Sequence, residues 1–395
     1  MATAPSSPIR VARIITRLNI GGPSIQAAML SDRLRTSGFD TLLIHGSLGP
    51  GEGDMRYLIE GRGVPIEYVP ALQRPVAPAA DLRALAAIRG LLARFQPHIV
   101  HTHMAKAGTL GRIAAAIHNR FARVRAQTVH TYHGHVLEGY FRYAGAFVRI
   151  ERLLARATDR LVAISPEIAR ELQQDYRIGR PAQYRIVPLG FDLSPFAAVT
   201  PEDRGAARGA LQLSADAAVV SIVGRLTAIK QHELFLRVAR AVHDLVPSSV
   251  FLVVGDGERR GELEALARTL GIGGAVRFLG WRKDLATIYA ATDVCALTSR
   301  NEGTPVALIE ALAAGVPVAS TDVGGIRDVV NDAALGGTAP DGDVDALAAL
   351  VVREAAPARR DAALVAARRA SVLSRFGFDR LASDIAEMYW SMIRR

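Results

Sequence analysis

Short apolar runs rich in β-branched residues alternate along the chain with longer stretches of helical periodicity. In the first half, these runs predict strands at residues 10–18, 41–45, 65–69, 98–101, 127–131, 160–164 and 185–188. The stretches between them predict helices at residues 22–35, 81–95, 107–118 and 142–157. This alternation is typical of βαβ units, in which parallel strands are buried between layers of helices.

The alternation restarts after residues 191–216, which carry prolines and a glycine but no strand pattern and are predicted to be a linker. The second half predicts strands at residues 217–223, 250–254, 276–279, 294–297 and 316–320. Its helices are predicted at residues 230–244, 258–270, 284–291 and 305–314, and the pattern is helical after residue 346. We expect an α/β protein with two doubly wound domains, at residues 1–190 and 217–375, and a helical C-terminal tail.

The distribution of charge separates the two halves of the chain. Residues 1–195 contain 25 lysines and arginines against 14 acidic residues, a net charge of +11, whereas residues 196–395 carry −1. We expect the first half to attract a lipid surface, a phosphorylated acceptor or nucleic acid, with a surplus kept for solubility as the alternative. Only three of the 48 basic residues are lysines, so a lysine inside a motif is especially informative.

Composition excludes several classes of protein. Half of the residues are hydrophobic and 22% are charged, which excludes a disordered or fibrous chain. The single cysteine, Cys295, excludes a disulfide framework and a cysteine-based metal cluster, and a reducing compartment fits best. Arg10, Arg13 and Arg17 interrupt the first apolar stretch, so no signal peptide is predicted. No run of 18 apolar residues occurs, so no membrane span is predicted.

The loop from residue 300 to residue 310, RNEGTPVALIE, is the most informative of the predicted strand-end loops, where doubly wound sheets bind ligands. Thr304 is a suitable N-cap and Pro305 a suitable first helical residue, so a helix N-terminus suited to phosphate is predicted there. Glu302 and Glu310 would lie about 12 Å apart at helical rise. That spacing suits two carboxylates that bind hydroxyls on two sugars joined by a pyrophosphate, with two solvated acids as the alternative.

Two further loops of the second half carry candidate phosphate-binding groups. In GRLTAIK at residues 224–230, Arg225 offers a rigid fork to phosphate oxygens and Lys230 a point charge, with two surface cations as the alternative. The turn Gly255-Asp256-Gly257 is a weak glycine signal. It lacks the third glycine of a dinucleotide fingerprint, because Arg260 stands at that position.

In the first half, glycines and histidines stand at the predicted strand ends. Gly21 and Gly22 follow the first strand, where they would let a ligand approach the backbone, with a simple turn as the alternative. Four histidines cluster at two later strand ends, with His130 nearby: His101 and His103 at the first, and His133 and His135 at the second. A metal site is conceivable, but Glu138 is the only acidic or cysteine residue nearby. We therefore favour a polar wall of an active site.

The chain resembles the retaining glycosyltransferases of family 4, which have the GT-B fold. The motifs that carry the resemblance are EGTPVALIEALAAGVPVASTDVGG at 302–325, GRLTAIK at 224–230, VVGDG at 253–257 and NIGGPS at 19–24. The runs HTHMAKAGTLGRIAA at 101–115 and HTYHGHVL at 130–137 look like the bacterial exopolysaccharide, capsule and lipid-linked-oligosaccharide members. The resemblance covers nearly the whole chain. It implies two Rossmann-like domains facing a central cleft, an acceptor-binding first domain, a nucleotide-sugar-binding second domain, and a C-terminal helix at 376–395 that packs back on the first domain.

The resemblance also implies residue roles. Arg225 and Lys230 would neutralise the diphosphate, Glu310 would accept from the ribose, Glu302 would hold the transferred hexose, and His133 would lie beside the sugar. The implied catalytic residues are His133, Arg225, Lys230 and Glu302. The implied donor-binding residues are Gly22, Gly224, Arg225, Lys230, Gly255, Gly257, Glu302, Gly303, Thr304, Pro305, Val306 and Glu310. The implied acceptor-binding residues are His103, Lys106 and His135, and no metal ligand is implied.

The implied reaction is retaining transfer of a sugar from a nucleoside-diphosphate sugar, with UDP favoured over GDP, to a lipid-linked or glycan acceptor in bacterial surface polysaccharide biosynthesis. We expect no cofactor or metal, because the two cations face the leaving group. The Asp-x-Asp spellings at 341–345 lie in the late tail, where we expect them to be far from the strand-end loops. The expected location is cytoplasmic, at the inner face of the plasma membrane.

Docking on an anionic membrane is expected from basic residues interleaved with apolar ones. One predicted helix carries Arg142, Arg149, Arg152 and Arg156 beside Phe141, Tyr143 and Phe147. A neighbouring stretch carries Arg112, Arg120, Arg123 and Arg125 around Ile113, Ile117 and Phe121. The alternative is that these arginines pair with Glu138, Glu151 and Asp159 on a solvated face.

Other functions remain as alternatives. A nucleotide-sugar 2-epimerase of GT-B fold would share the diphosphate site, and a silent scaffold subunit of a polysaccharide complex would share the fold. The scaffold is disfavoured because Glu302, Lys230 and His133 are all present. A dehydrogenase is disfavoured because the glycine fingerprint of dinucleotide-binding sites is incomplete. A nucleic-acid-binding protein is disfavoured because the sequence has no motif that recognises nucleic acid.

Overall fold

The computed structural model describes residues 8–19, 21–134 and 144–394. It divides the chain into two compact units. The first contains Met1–Gly190 and Asp379–Arg395, and the second contains Phe191–Phe378. Each unit is built on its own parallel sheet, as the alternation of apolar runs predicts.

The first unit has a seven-stranded sheet in the order β3-β2-β1-β4-β5-β6-β7. Its strands are β1 Ile9–Ile15, β2 Phe39–His45, β3 Ile66–Tyr68, β4 Ile99–His103, β5 Gln127–Tyr132, β6 Arg160–Ala163 and β7 Tyr184–Ile186. Its helices begin with α1 Gly22–Arg33, α2 Pro78–Phe95, α3 Ala105–Phe121, α4 Ala144–Arg156 and α5 Pro166–Arg170. All the paired strands are parallel, and the strand order reverses between β1 and β4.

Helices α3 and α4 are joined by a buried ion pair, which corrects one expectation. Arg112 was predicted to face a membrane, but its side chain is 3% exposed and lies 2.6 Å from an oxygen of Glu151. Tyr132 donates to the other oxygen of Glu151 at 2.9 Å. Arg112 therefore joins two helices inside the first unit and is not available to a lipid surface. Removing either partner would leave a buried charge without its counter-ion.

The second unit has a six-stranded parallel sheet in the order β10-β9-β8-β11-β12-β13. Its strands are β8 Val219–Val223, β9 Val250–Val254, β10 Val276–Gly280, β11 Val294–Leu297, β12 Val318–Thr321 and β13 Gly336–Ala339. Its helices are α6 Ser194–Ala197, α7 Pro201–Ala210, α8 His232–Leu245, α9 Arg260–Thr269, α10 Leu285–Ala291, α11 Val306–Ala313, α12 Ile326–Val329, α13 Val344–Ala355 and α14 Ala362–Phe376. The strand order reverses between β8 and β11, the position where doubly wound sheets bind ligands.

Residues 191–216 differ from the predicted linker, because they form α6 and α7 and belong to the second unit. Ala207 and Leu211 are buried in a cluster with the α10 residue Ile288. Arg208 is 2.7 Å from the buried carboxylate of Asp293, which begins the approach to β11. The segment lacks a strand pattern because it packs as helices, not because it is a flexible connection.

The last helix, α15 Phe378–Ile393, returns the chain to the first unit. Arg380 donates to the carbonyl oxygens of Pro188 and Leu189 at 2.9 and 2.8 Å. Tyr389 is fully buried and meets the ring of Phe39 edge-on, with centroids 5.5 Å apart. The first unit therefore contains residues that come before the second unit in the sequence and residues that come after it.

Candidate functional site

In the second unit, the loops that follow β8 and β11 bring Lys230 and Glu302 together. Their side chains form an ion pair and are 26% and 9% exposed. The hydroxyl of Ser299 also donates to Oε1 of Glu302, at 2.5 Å. The backbones are held as well, because the hydroxyl of Thr298 donates to the carbonyl oxygens of Lys230 and Gln231. Two residues that are 72 positions apart thus share one strand-end edge.

Close backbone packing holds the loop that carries Glu302. The N–H of Gly325 donates to the carbonyl oxygen of Glu302 at 2.8 Å. A Cβ at Gly325 would lie 2.0 Å from the carbonyl oxygen of Gly303, a distance that no side chain tolerates. Gly324 and Gly325 were not among the predicted site residues. The signal that could have identified them is a double glycine separated by two residues from the end of strand β12.

The loops after β8 and β9 are packed in the same way. A Cβ at Gly255 would lie 1.9 Å from the carbonyl oxygen of Gly224, and one at Gly257 would lie 2.6 Å from that of Leu226. The carbonyl oxygen of Asp256 accepts from the N–H of Leu226 at 3.0 Å. These glycines were predicted to bind the donor. The packing of the two loops also requires them, because they let the loop that carries Arg225 lie against the loop after β9.

Glu310 lies on α11 and is largely buried. The hydroxyl of the buried Tyr289 donates to its Oε2 at 3.2 Å. Burial raises the pKa of Glu310 to about 7, and the bond from Tyr289 only partly offsets this. A carboxylate held in such a place has lost much of its water, so polar groups that replace the water would stabilise its charged form.

The N-terminus of α11 differs in detail from the prediction. The helix begins at Val306 and Pro305 takes the N-cap position, whereas Thr304 and Pro305 were predicted to be the N-cap and the first helical residue. The hydroxyl of Thr304 makes no capping bond, and the N–H of Val306 donates to the carbonyl oxygen of Thr304 at 2.9 Å. That N–H is already used, so fewer free backbone donors remain at residues 303–306 than predicted.

Two other groups complete the edge. Arg225 is exposed, and its guanidinium bonds to no other residue in the described part of the chain. Asp341 follows β13, and Gln231 donates to its Oδ1 at 2.9 Å. The expectation that residues 341–345 lie far from the strand-end loops is therefore wrong. It failed because the glycine-rich strand β13, GGTA, has no β-branched pattern to reveal it.

In the first unit, three of the predicted histidines form a continuous hydrogen-bonded row with a buried arginine. Nη1 of Arg13 lies 3.0 Å from Nε2 of His103, and Nδ1 of His103 lies 2.9 Å from Nε2 of His133. The same Nη1 lies 3.3 Å from Nδ1 of His101. His103 was predicted to bind the acceptor, but it is fully buried, so its direct partner is His133. His135 lies outside the described residues.

The other predicted residues of the first unit have different surroundings. Both oxygens of Asp81 lie 2.7 Å from the ammonium of Lys106, so the lysine predicted to bind the acceptor joins α2 to α3. Gly22 begins α1, and a Cβ there would meet only Leu189, at an ordinary 3.9 Å. Packing therefore does not require a glycine at position 22, which is consistent with close approach of a ligand.

Metal ligation finds no support among the side chains that the structure describes. Within residues 8–19, 21–134 and 144–394, no group of three or more histidine, cysteine or acidic side chains is arranged to hold a metal ion. Cys295 is buried in β11, and burial raises the pKa of its thiol to about 12. That thiol is a packing residue.

Comparisons with known proteins agree across both units. A family model described as "Glycosyl transferases group 1" matches residues 217–355, and one described as "Glycosyl transferase 4-like domain" matches residues 21–190. The chain is 33% identical over 296 residues to the UDP-Gal:alpha-D-GlcNAc-diphosphoundecaprenol alpha-1,3-galactosyltransferase of Escherichia coli, covering 72% of this chain and 73% of that protein. It is 30% identical to the D-inositol 3-phosphate glycosyltransferase of Geodermatophilus obscurus, covering 93% of this chain and 84% of that protein.

Solved structures show the same architecture. The crystal structure of Anabaena Alr3699/HepE in complex with UDP has a TM-score of 0.81 at 21% identity, covering 97% of this chain and all of that one. WaaG, a glycosyltransferase involved in lipopolysaccharide biosynthesis, has a TM-score of 0.67 at 17% identity, covering 96% and 99%. These similarities confirm the expected GT-B fold.

The raised pKa of Glu310 predicts a stability that depends on pH. Its ordinary pKa is 4.5 and its folded pKa is about 7. Folding therefore favours the protonated acid, and the free energy of unfolding falls as pH rises from about 4.5 to 7. Glu310→Gln has no proton to lose at this position. Its melting temperature, measured relative to that of the wild type, should therefore increase from pH 5 to pH 8. The corresponding change in the free energy of unfolding is at most about 3 kcal/mol.

The control is Glu262→Gln, in which the exposed carboxylate paired with Arg259 has a lowered pKa. The melting temperature of Glu262→Gln, measured relative to that of the wild type, should change with pH in the opposite direction or not at all. Thermal unfolding without nucleotide measures both variants. A constant difference between Glu310→Gln and wild type across this pH range would contradict the assigned environment of Glu310.

Proposed function

The chain belongs to the group 1, family 4-type glycosyltransferases and is an enzyme that transfers sugars, and on that basis we propose that it moves a hexose from a UDP-sugar to a lipid-linked diphosphate acceptor. The observation that carries the proposal is the ion pair of Lys230 and Glu302 at one edge of the second sheet, with the desolvated Glu310 on α11, the helix that follows Glu302 in the chain. A cation, a carboxylate and a desolvated carboxylate are the groups that a diphosphate, a hexose and a ribose require.

The donor roles follow from this chemistry. Lys230 and the exposed Arg225 bind the diphosphate, and Glu310 accepts from the ribose hydroxyls. Glu302 accepts from a hexose hydroxyl while its ion pair with Lys230 holds it in place. Uridine is favoured as the base because the structural neighbour HepE is seen with UDP and with UDP-glucose, and because the Escherichia coli relative uses UDP-Gal.

In the proposed reaction, the bond between the anomeric carbon and a diphosphate oxygen breaks, and a bond from that carbon to the acceptor oxygen forms. A diphosphate oxygen takes the acceptor proton, and the configuration at the anomeric carbon is retained. The negative charge that develops on the leaving diphosphate is stabilised by Arg225 and Lys230, which are fixed donors of a kind that contributes strongly to catalysis. No metal ion takes part.

The acceptor is assigned to the first unit. Its surplus of basic residues suits an anionic lipid diphosphate. The Escherichia coli relative acts on a GlcNAc-diphosphoundecaprenol, which combines a sugar, a diphosphate and a lipid. We therefore propose a lipid-linked acceptor at a membrane surface, reached from the cytoplasm.

The first test is transfer of label from UDP-galactose or UDP-glucose to a synthetic GlcNAc-diphospholipid, measured by solvent extraction. Lys230→Ala should lower the rate about 100- to 1,000-fold, because one charge-stabilising donor is lost. Lys283→Ala is the matched control, since this exposed lysine lies over the ring of Trp281. Near-normal transfer by Lys230→Ala would contradict the assignment, and conversion of the UDP-sugar without acceptor would indicate an epimerase.

The two carboxylates should separate in their effects on nucleotide binding. Glu310→Gln should weaken the binding of UDP alone, because it removes the charge that accepts from the ribose. Glu302→Gln should leave UDP binding unchanged or tighter, because Lys230 loses its internal counter-ion, while transfer falls. Calorimetry with UDP measures the binding of each variant. The reverse ranking would contradict the separation of roles.

Metal independence is tested directly by chelation. Transfer should continue in EDTA at the rate seen without it, because the diphosphate charge is neutralised by Arg225 and Lys230. A rate that EDTA abolishes and a divalent cation restores would contradict the proposal. Lys230→Ala assayed with and without added Mg²⁺ serves as a second check, since a cation should not rescue it if none belongs to the site.

The outer faces of α3 and α4 support docking on an anionic membrane. Phe121 and Val124 are 73% and 58% exposed, and Ile150 and Leu153 are 46% and 65% exposed. Exposed arginines lie near them in the sequence, at Arg120, Arg123, Arg149 and Arg156, and Arg123 and Val124 belong to the bend that follows α3. Arg152 donates to the carbonyl oxygen of Tyr176, and Arg125 bonds to Asp159, so these two do not count toward the surface. Arg142, Phe141 and Tyr143 lie outside the described residues.

Apolar side chains set among arginines suit an interface with anionic lipid, and four arginines could contribute about 4 kcal/mol at roughly 1 kcal/mol each. No helix among the described residues has the length and apolarity needed to cross a membrane. Attachment through this face is therefore the form of membrane contact that we propose.

Vesicle flotation tests the docking face. The wild-type protein should float with vesicles that contain phosphatidylglycerol, and binding should fall as salt is added. Arg149→Glu with Arg156→Glu should lower binding strongly, and Leu153→Ser should lower it independently of salt. Arg237→Glu, on the second unit, is the control. Equal recovery with neutral and anionic vesicles, or with neither, would contradict the proposal.

A further inference from the structure

Arg13 is an unusual residue for the centre of a sheet. It lies on β1 with no exposed surface, and among the described residues it forms no ion pair with a carboxylate. Its guanidinium instead contacts the neutral groups of His101, His103 and Tyr389. Burying a charge without a counter-ion is costly, so we looked for what this charge does to its neighbours.

The contacts of Arg13 determine where the proton of each imidazole sits. A guanidinium has donors only, so Nε2 of His103, at 3.0 Å, must accept. The single proton of a neutral His103 is then on Nδ1, which donates to Nε2 of His133 at 2.9 Å. Because Nε2 of His133 accepts, its own proton is on Nδ1. One arginine thus sets two tautomers in succession.

Both rings are neutral. Burial, with the nearby charge of Arg13, lowers the pKa of His133 to about 3. Burial likewise holds the pKa of His103 well below its ordinary value, and the charge of Arg13 acts in the same direction. Each ring therefore carries one proton, and the assignment by donors and acceptors is complete.

A second branch fixes the orientation of the row. His101 stacks on His103 with ring centroids 4.4 Å apart. Its Nε2 lies 2.7 Å from the hydroxyl of Thr131, and its Nδ1 faces both Arg13 and the hydroxyl of Tyr389. Since Nδ1 of His101 accepts, Nε2 donates to Thr131. Neither His101 nor His103 can rotate without losing hydrogen bonds at both of its ring nitrogens.

At the end of the row, Nδ1 of His133 is buried and bonds to none of the described residues. A buried N–H without a partner is rare, because it loses its bond to water and gains nothing in return. Nε of Arg13 is the other buried nitrogen of the Arg13–His103–His133 row without a described partner, and Nδ1 of His133 is the one at the histidine end of the row.

We propose that Arg13 and His103 are positioning residues that hold His133 as a neutral donor, with its Nδ1–H directed at an oxygen of the transferred sugar. This inference rests on the proposed function, and on the place beside the transferred sugar that the family resemblance implies for His133. It assigns the histidine a single direction of action: it donates a hydrogen bond and does not accept a proton.

The direction follows from the far end of the row. For His133 to accept a proton at Nδ1, protons would have to shift so that Nε2 of His103 carried one. That N–H would then face the guanidinium of Arg13, which has no lone pair to receive it. The fixed charge also polarises the bonds between the rings in one sense, which strengthens His133 as a donor.

The tautomer can be measured directly in the wild-type enzyme. In full-length enzyme labelled with ¹⁵N at histidine, long-range ¹H–¹⁵N spectra distinguish protonated from unprotonated ring nitrogens. His133, assigned by the loss of its signals in His133→Gln, should show a protonated Nδ1 and an unprotonated Nε2. A protonated Nε2 in the free enzyme would overturn the proposal.

A matched pair of variants tests the consequence. His103→Asn keeps an N–H near the position of Nδ1 and should preserve both the tautomer of His133 and most of the transfer rate. His103→Asp is nearly identical in shape but can only accept, so it should move the proton of His133 to Nε2. Transfer should then fall in kcat by on the order of 100-fold or more, with little change in the KM for UDP-sugar. Equal rates for the two variants would overturn the proposal.

The outcomes separate this inference from the proposed function. If His133→Gln retains full transfer while the spectra show a protonated Nδ1, the tautomer assignment stands and the role of His133 beside the sugar fails. If His133→Gln loses transfer but His103→Asp does not, the role of His133 stands and the positioning by Arg13 and His103 fails. Far-ultraviolet circular dichroism and UDP binding confirm that each variant is folded.

Discussion

Every strand pairs in parallel with its neighbours in both sheets, and the chemistry of the protein depends on this constraint. Parallel strands place all their carboxyl ends at one edge, so loops that are far apart in sequence must pack against each other there. In the second unit, that packing leaves no room for side chains at Gly255 and Gly325, whose positions face backbone oxygens directly. The ion pair of Lys230 and Glu302 is a result of that crowding, because each residue is carried by a loop with little freedom to move.

The carboxyl edge of the sheet carries different chemical groups in each unit. The second unit presents the opposite charges of Lys230 and Glu302 side by side, with a second carboxylate, Glu310, largely buried away from water. The first unit presents a row of neutral rings ending in one buried positive charge, Arg13. A nucleotide sugar offers both kinds of partner, since its diphosphate is anionic and its sugars are neutral and rich in hydroxyls. Each unit thus has a polarity suited to a different part of the reaction.

The sequence could predict the elements that bury apolar residues with a regular period. Strands such as β8 and β11 and the loop around Glu302 were identified because β-branched runs, glycines and proline mark them. Strand β13 was missed, because its residues carry no such pattern and only pairing with β12 makes them a strand. Helices α6 and α7 were read as a linker, because their prolines and glycines mark breaks while their packing against α10 is a tertiary contact.

The same distinction applies to the site residues, because local motifs identify some of them and only tertiary contacts identify the others. Lys230 and Glu302 could be proposed from local motifs, and the fold brings them together. Arg13 could not, since a charge in an apolar stretch indicates only an interruption until Tyr389, 376 positions away, and the two histidines of β4 are seen around it. Arg112 carried the opposite error. Its position among basic and apolar residues predicted a lipid-facing surface, whereas its ion pair with Glu151 on the next helix makes it part of the interior.

The return of α15 to the first unit has a consequence for how the protein is made. Residues 379–395 are synthesised after the whole of the second unit, yet they supply the phenol that contacts Arg13 and the ring that covers Phe39. Until Tyr389 emerges from the ribosome, Arg13 in the first sheet lacks one of its three partners. The second unit, whose residues are continuous, can complete its fold during synthesis, whereas the first unit must wait for the last helix to emerge.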